Sequence, residues 1–254
     1  MHVLCGHTTF WQGVRNKMGK MNKMSKTIVV FSGGLDSTSL LLQAVAGCQE
    51  VRALSFIYGQ KHMRELQVAS ALCEELGVKH EIRDITSAFH HTRSALLQHG
   101  IEIPKKSYAE HTSNDRDAYG GVSTSVPARN LLFGVYAMIE AAAWQFNTAV
   151  MAVHKNDGDF YAYPDCLPET LQPFATGLSE AFRHQIQLLF PFINMLKWEV
   201  LRAGAVSKNA QIALGKSWSC YTAGDIHCGE CATCRERKTA YQRAGLSDPT
   251  IYAK

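Results

Sequence analysis

The chain has 254 residues, 46% hydrophobic and 19% charged, which excludes a disordered polymer and leaves ample apolar material for a core. No apolar run reaches the ~18 residues of a membrane-spanning helix, so no membrane partner is expected. The formal charge of +4 does not mark a nucleic-acid binder. Five of the 26 basic residues (Arg15, Lys17, Lys20, Lys23 and Lys26) stand within residues 1–26, which hold no acid, leaving 21 basic against 22 acidic residues in the body.

Residues 1–24 read as an N-terminal extension without the apolar core of a signal peptide. Met21 or Met24 would serve equally as a start, and the core domain is expected over 25–215. Ile28 to Phe31 is a β-branched apolar run suited to a strand buried on both faces. Ser32-Gly33-Gly34-Leu35-Asp36-Ser37 follows directly, then a helix-forming stretch that closes at Gly47. A small-residue turn between strand and helix exposes backbone N–H groups beside the positive end of a helix dipole, and the hydroxyls of Ser32, Ser37, Thr38 and Ser39 add donors. This is a phosphate cradle. The lysine of a Walker A loop is absent, and SGGLDS instead resembles the PP-loop of enzymes that split ATP into AMP and pyrophosphate.

Val51–Tyr58 reads as a second strand closed by Gly59, 61–76 as a helix with Leu66, Ala69, Cys73 and Leu76 on one face, and Val78–Ile85 as a third strand. A weak helix is expected at 86–98. A long polar stretch then runs to 125, which could be a lid beside an ATP site or plain surface loop. Residues 130–146 predict an apolar helix, 148–153 a fourth strand and 154–167 a polar loop. A helix at 168–184, a strand at 186–190 and helices near 197–205, 207–214 and 235–244 complete the chain. The alternation predicts an α/β protein, a doubly wound parallel sheet with ligands beyond the carboxyl ends of its strands.

The eight cysteines are unevenly placed. Cys5, Cys48, Cys73 and Cys166 are isolated, whereas Cys220, Cys228, Cys231 and Cys234 crowd together. Without a signal peptide this pattern points to a reducing cytoplasm and to metal rather than disulfides. Four thiolates suit a closed structural zinc site, and an iron–sulfur cluster takes the same ligands. A zinc-binding C-terminal segment, 216–254, is expected, with His227 facing solvent beside it.

Further stretches match one family. Phe56-Ile57-Tyr58-Gly59-Gln60-Lys61-His62 is similar to F-x-Y-G-Q-[RK]-H, Val126-Pro127-Ala128-Arg129-Asn130 to V-P-G-R-N, and Asp159 to Cys166 to D-[FY]-S-G-Y-P-D-C. With Trp218-Ser219-Cys220-Tyr221 and the spaced cysteines, the chain from about 27 to 252 resembles the 7-cyano-7-deazaguanine synthase family of queuosine-precursor biosynthesis. The resemblance implies an adenine nucleotide alpha hydrolase-like fold with a C-terminal zinc knuckle, a homodimer, and ATP, Mg²⁺ and Zn²⁺ as cofactors. It further implies conversion of 7-carboxy-7-deazaguanine and ammonia to the nitrile through adenylated intermediates. Phe31, Ser32, Gly33, Gly34, Leu35, Asp36, Ser37 and Thr38, with Lys61 and His62 at a helix start, are then expected around ATP. Asp36, Ser37, Arg129 and Asp165 are the expected catalytic set. Asp36 organises the loop or Mg²⁺, or is only a helix cap; Arg129 reaches phosphate or carboxylate; Asp165 reads the guanine edge. Ala128 and Ala162 replace family glycines, and 154–160 is longer than usual. Competing readings are an adenylating relative that stops at the amide or modifies another acid or a macromolecule, a tRNA-thiolating enzyme, and a zinc-knuckle nucleic-acid-binding protein.

Overall fold

The computed structural model describes residues 26–61, 63–100, 122–158, 163–222 and 224–254. The expectations for 1–24, for the long stretch at 101–121, for His62 and for Asp159 to Ala162 lie outside them. The elements in order are β1 (Lys26–Val30), α1 (Leu35–Gly47), β2 (Glu50–Ile57), α2 (Arg64–Leu76), β3 (Lys79–Asp84), a 3-10 turn (Thr86–Phe89) and α3 (Arg129–Ala143). Then come β4 (Thr148–Val150), the single turn α4 (Lys155–Gly158), a second 3-10 turn (Pro164–Cys166), α5 (Pro168–Ala181), β5 (Gln187–Leu189), α6 (Lys197–Gly204), α7 (Lys208–Lys216) and α8 (Ala232–Ala244).

Among the described residues the strands form one parallel sheet in the order β3-β2-β1-β4-β5. Successive residues of a strand point to opposite faces, so an unbroken apolar run such as Ile28-Val29 feeds two cores. Val29 joins Leu40, Leu41, Val200, Leu201 and Tyr241 on one side of the sheet. Ile28 joins Leu54, Met138, Ala141, Leu171 and Leu188 on the other. Both faces are covered by helices, as a parallel sheet requires. Ala240 and Tyr241 of α8 belong to the same core as β1 and α1, so the C-terminal helix is part of the main body. The order in which strands are added reverses between β1 and β4, and a crevice opens at their carboxyl ends. No helix of the described residues is long and apolar enough to cross a membrane.

Three elements differ from expectation. Helix 86–98 reduces to the turn Thr86–Phe89, because Gln60 pairs with Leu97 in an antiparallel bridge and Lys61 N–H donates to the Leu96 carbonyl at 2.8 Å. That pairing uses backbone groups a helix would need. It also holds Lys61 outside the helix, so α2 starts at Arg64 rather than at Lys61. The fourth strand stops at Val150 because β1, its neighbour, ends at Val30 and turns into the glycine loop.

Candidate active site

The loop after β1 is tied to itself. Ser32 Oγ accepts from the Gly34 N–H at 3.1 Å and lies 3.0 Å from Ser37 Oγ, which accepts from the Ser32 N–H at 3.2 Å. Gly33 has φ +82°, and a Cβ there would meet the Glu65 carbonyl and the Ala69 backbone. Only glycine fits. Gly34 caps α1 without any side-chain hydrogen bond, so the first amides of the helix stay open to an anion. The other two hydroxyls turn away. Thr38 Oγ1 donates to the Gly34 carbonyl at 2.8 Å and Ser39 Oγ to the Leu35 carbonyl at 3.1 Å, both fully buried. As side chains of the first helical turn they bond back to preceding carbonyls rather than face a ligand.

The loop opens into a cavity of about 370 Å³ that reaches from Ser32, Asp36 and Ser37 to Tyr58, Glu65 and Arg129. Four chain segments bring charge to its loop end. Asp36 Oδ2 lies 3.1 Å from Lys197 Nζ and 3.4 Å from His154 Nε2. His154 is also 3.5 Å from Asp157 Oδ1, and Lys197 is 3.3 Å from Glu236 Oε2. Burial opposes ionisation of Asp36, but Lys197 and His154 outweigh it and hold the carboxyl well below the usual carboxylate range. Burial likewise opposes charge on His154, and the carboxylates of Asp157 and Asp36 raise its pKa nonetheless. Asp36 Oδ1 is buried with no hydrogen-bond partner. An orphan carboxylate oxygen beside an anion cradle fits a divalent cation.

The far end of the cavity is aromatic. Phe56 and Phe133 stack at 4.3 Å, and Tyr58 meets Phe133 edge-on at 5.7 Å. Arg129, the first residue of α3, lies over Tyr58 and Phe133, at 5.4 and 5.9 Å to their centroids, and donates from Nη1 to the Tyr58 hydroxyl at 3.3 Å. Its Nε is buried and has no partner. Ala128 precedes it at φ 54°, a left-handed conformation that explains why a glycine would be at home there. Asp165 lies behind the cavity wall. It is buried, its Oδ2 accepts from the Asn130 N–H at 2.9 Å, and the cavity wall is made by its neighbours Tyr163 and Cys166 instead. The carboxylate serves as an anchor for the start of α3, where a negative charge is favourable.

Cys220, Cys228, Cys231 and Cys234 converge with all four sulfurs within 4.8 Å of one another. Pairs at 4.0 and 3.9 Å approach the ~3.8 Å edge of a tetrahedron with 2.3 Å metal–sulfur bonds. The N–H groups of Thr222 and Cys228 point at the Cys220 sulfur, and those of Glu230 and Cys231 at the Cys228 sulfur. The donor set fits a metal ion. His227 is not solvent-facing as expected. It is buried, accepts at Nε2 from the Ser219 N–H at 3.1 Å and packs 4.4 Å from Trp218. Burial pushes its pKa down to about 4, helped by Arg237, so it stays neutral. The knuckle is joined to the cradle, because the Trp218 N–H donates to the Gly33 carbonyl at 2.9 Å.

Sequence reasoning missed Lys197, His154, Asp157, Glu65 and Glu236. Two signals were present. Lys197 opens α6, where a cation opposes the helix dipole, and such a placement calls for a nearby anion. His154 and Asp157 stand just beyond β4, at the switch point where ligands bind.

The profile of "Queuosine biosynthesis protein QueC" matches residues 26–245. The chain is 39% identical over 229 residues to a 7-cyano-7-deazaguanine synthase of Rhizobium rhizogenes, covering 89% of this chain and 92% of that one. It is 40% identical over 229 residues to the enzyme of the same name from Brucella anthropi, covering 89% and 93%. Among solved structures, NMN synthetase from Francisella tularensis is similar with a TM-score of 0.49 and 15% identity, over 97% of this chain and 88% of that one. The PP-loop, the parallel sheet and the cysteine knuckle thus sit in a chain that belongs to the QueC family of queuosine biosynthesis proteins.

Proposed function

We propose that the chain is an ATP-dependent ligase that converts 7-carboxy-7-deazaguanine and ammonia to 7-cyano-7-deazaguanine, releasing AMP and pyrophosphate. The observation that carries this reading is one cavity that joins an anion cradle at Ser32–Ser37 to an aromatic wall bearing Arg129, whose Nε is buried. A carboxylate is a poor electrophile, and a mixed anhydride with AMP supplies a good leaving group. The loop amides, Ser37 and Lys197 hold the departing pyrophosphate, whose charge is what must be stabilised. Asp36, with its free Oδ1, holds Mg²⁺, which would neutralise phosphate charge. Arg129 takes the substrate carboxylate with Nε and its remaining N–H groups. Tyr58 and Phe133 offer faces to a flat heterocycle. Asp165 acts by fixing the Asn130 and Arg129 backbone. Lys61, which lines the cavity, and His62 serve the nucleotide.

The four cysteines hold zinc as a structural ion, because a full thiolate set leaves no open position. The partition into an extension at 1–24, a PP-loop domain at 25–215 and a metal segment at 216–254, a cytoplasmic location and a homodimer belong to the same reading. The near-neutral body supports a small-molecule substrate over a nucleic acid. The test is the mass of the product formed from ATP, ammonium and 7-carboxy-7-deazaguanine. The nitrile is expected; an amide product would mark a relative that stops halfway, and no AMP release would remove this substrate.

A further inference from the structure

Glu65 lies in the first turn of α2 and lines the cavity between its two ends. Its backbone carbonyl packs against Gly33 of the cradle, while its carboxylate couples electrostatically to Arg129 and Tyr58 of the aromatic wall. It therefore stands where the substrate carboxylate and the ATP phosphates must meet. Among the described residues the carboxylate has neither a hydrogen-bond nor an ion-pair partner. A half-buried acid with no structural bond, aimed into a reaction cavity, is unusual and costs stability unless it is used. Nothing in the PP-loop chemistry described above uses it.

We infer that Glu65 is the proton acceptor for the nitrogen nucleophile, taking protons at Oε in both amide and nitrile formation. The assignment rests on the ligase reading above. In the first half-reaction the ammonia lone pair forms a C–N bond to the acyl carbon. The C–O bond to AMP breaks, AMP leaves with that electron pair, and the proton shed by nitrogen passes to Glu65. In the second, the O-adenylated amide must lose both N–H protons. The last of them leaves to Glu65 as the remaining C–O bond to AMP breaks and the third C–N bond forms. Between steps the carboxylic acid returns its proton to water at the cavity mouth.

The electrostatics suit this task. Burial pushes the Glu65 carboxyl up to about 7, against the pull of Arg129. A base is most effective with its pKa near the working pH. The other titratable groups sharing the cavity are Tyr58, Lys61, Arg129, Tyr163, Cys166 and Tyr221 on its walls. Asp36, Asp157, Lys197, Cys220 and Glu236 complete them at the cradle end.

The experiment compares the full-length enzyme with Glu65→Gln and Glu65→Asp. Substrate-dependent ATP–pyrophosphate exchange without ammonium reads adenylation alone, and nitrile formation reads the nitrogen steps. Glu65→Gln is expected to keep exchange within about threefold while nitrile formation falls by about 10²- to 10⁴-fold. Glu65→Asp should recover part of that loss. Plotted against free ammonia, the unaltered enzyme should show a rate limb near neutral pH that is missing in Glu65→Gln. Equal losses in exchange and nitrile formation, or a pH limb that survives in Glu65→Gln, would overturn the proposal. Absence of exchange in the unaltered enzyme would instead overturn the ligase reading, and the assignment with it.

Discussion

Lys197→Met removes the cation that joins Asp36 to Glu236. At 3.1 Å the Lys197–Asp36 attraction is about 5 kcal/mol with an effective dielectric of 20, before desolvation is subtracted. Breaking a sealed pair by deleting one partner costs about 3–5 kcal/mol, and this pair borders a water-filled cavity. With Lys197 14% and Asp36 23% exposed, a net loss of about 1–3 kcal/mol follows. The pH dependence gives the mechanism away. Asp36 is depressed in the folded state, so its contribution is present above the unfolded value of 3.8 and is lost as pH falls through the lower folded value. Lys197→Met should therefore flatten the acid limb of the stability curve below pH 4 while lowering the plateau. Pyrophosphate exchange should fall by about 10²- to 10³-fold, the usual consequence of deleting one oriented charge stabiliser. Urea titrations from pH 2.5 to 7, beside exchange assays at pH 7, read both effects. Exchange within about threefold of the parent would refute a pyrophosphate role for this lysine, and an unchanged acid limb would refute the ion pair.

Cys231→Ser should lose bound metal, measured by elemental analysis, and melt earlier because binding energy at a closed site is largely folding energy. Gly33→Ala should be the most damaging single methyl in the loop, costing more than about 2 kcal/mol in urea titrations, since it meets strain at φ +82° and the Glu65 carbonyl together. Ala128→Gly should raise stability by about 0.5–1 kcal/mol, and the melting temperature by a few degrees, by releasing the left-handed strain at φ 54°. Asp165→Asn should weaken substrate binding and loosen the start of α3 together, seen as faster amide exchange at Asn130, because its Oδ2 accepts from that N–H.

What the sequence made legible was short in range. The strand, the glycine turn and the helix from Ile28 to Gly47 are contiguous, and their periodicities and turn residues announce them without help from elsewhere. The four cysteines lie within fifteen positions, so spacing alone brought them together. The charge cluster behaves differently. Asp36, His154, Lys197 and Glu236 stand on four separate segments that meet only because β4 and β5 line up beside β1 and α8 packs on the same core. No local pattern carries that information. The failures at 86–98 and at Lys61 share one cause, a long-range bridge from Gln60 to Leu97 that overrides local helix preference. Asp165 was legible only in part. Its motif marks the carboxylate, but only the fold shows that its Oδ2 meets the Asn130 N–H.

The hydrogen bond from Trp218 to Gly33 makes two distant chemistries share one backbone. Trp218 is two residues from the cysteine Cys220, and Arg237 on α8 clamps Ser217 and Ser219 on either side of it, at 2.9 and 3.1 Å. Whatever orders the knuckle therefore bears on the turn that leaves the first amides of α1 open. By thermodynamic reciprocity, if a metal at the knuckle tightens nucleotide binding at the turn, nucleotide would tighten the knuckle's hold on that metal by the same factor. A chelator is expected to strip the ion more slowly from enzyme saturated with ATP, and metal-poor preparations to show weak nucleotide affinity while their sheet remains folded.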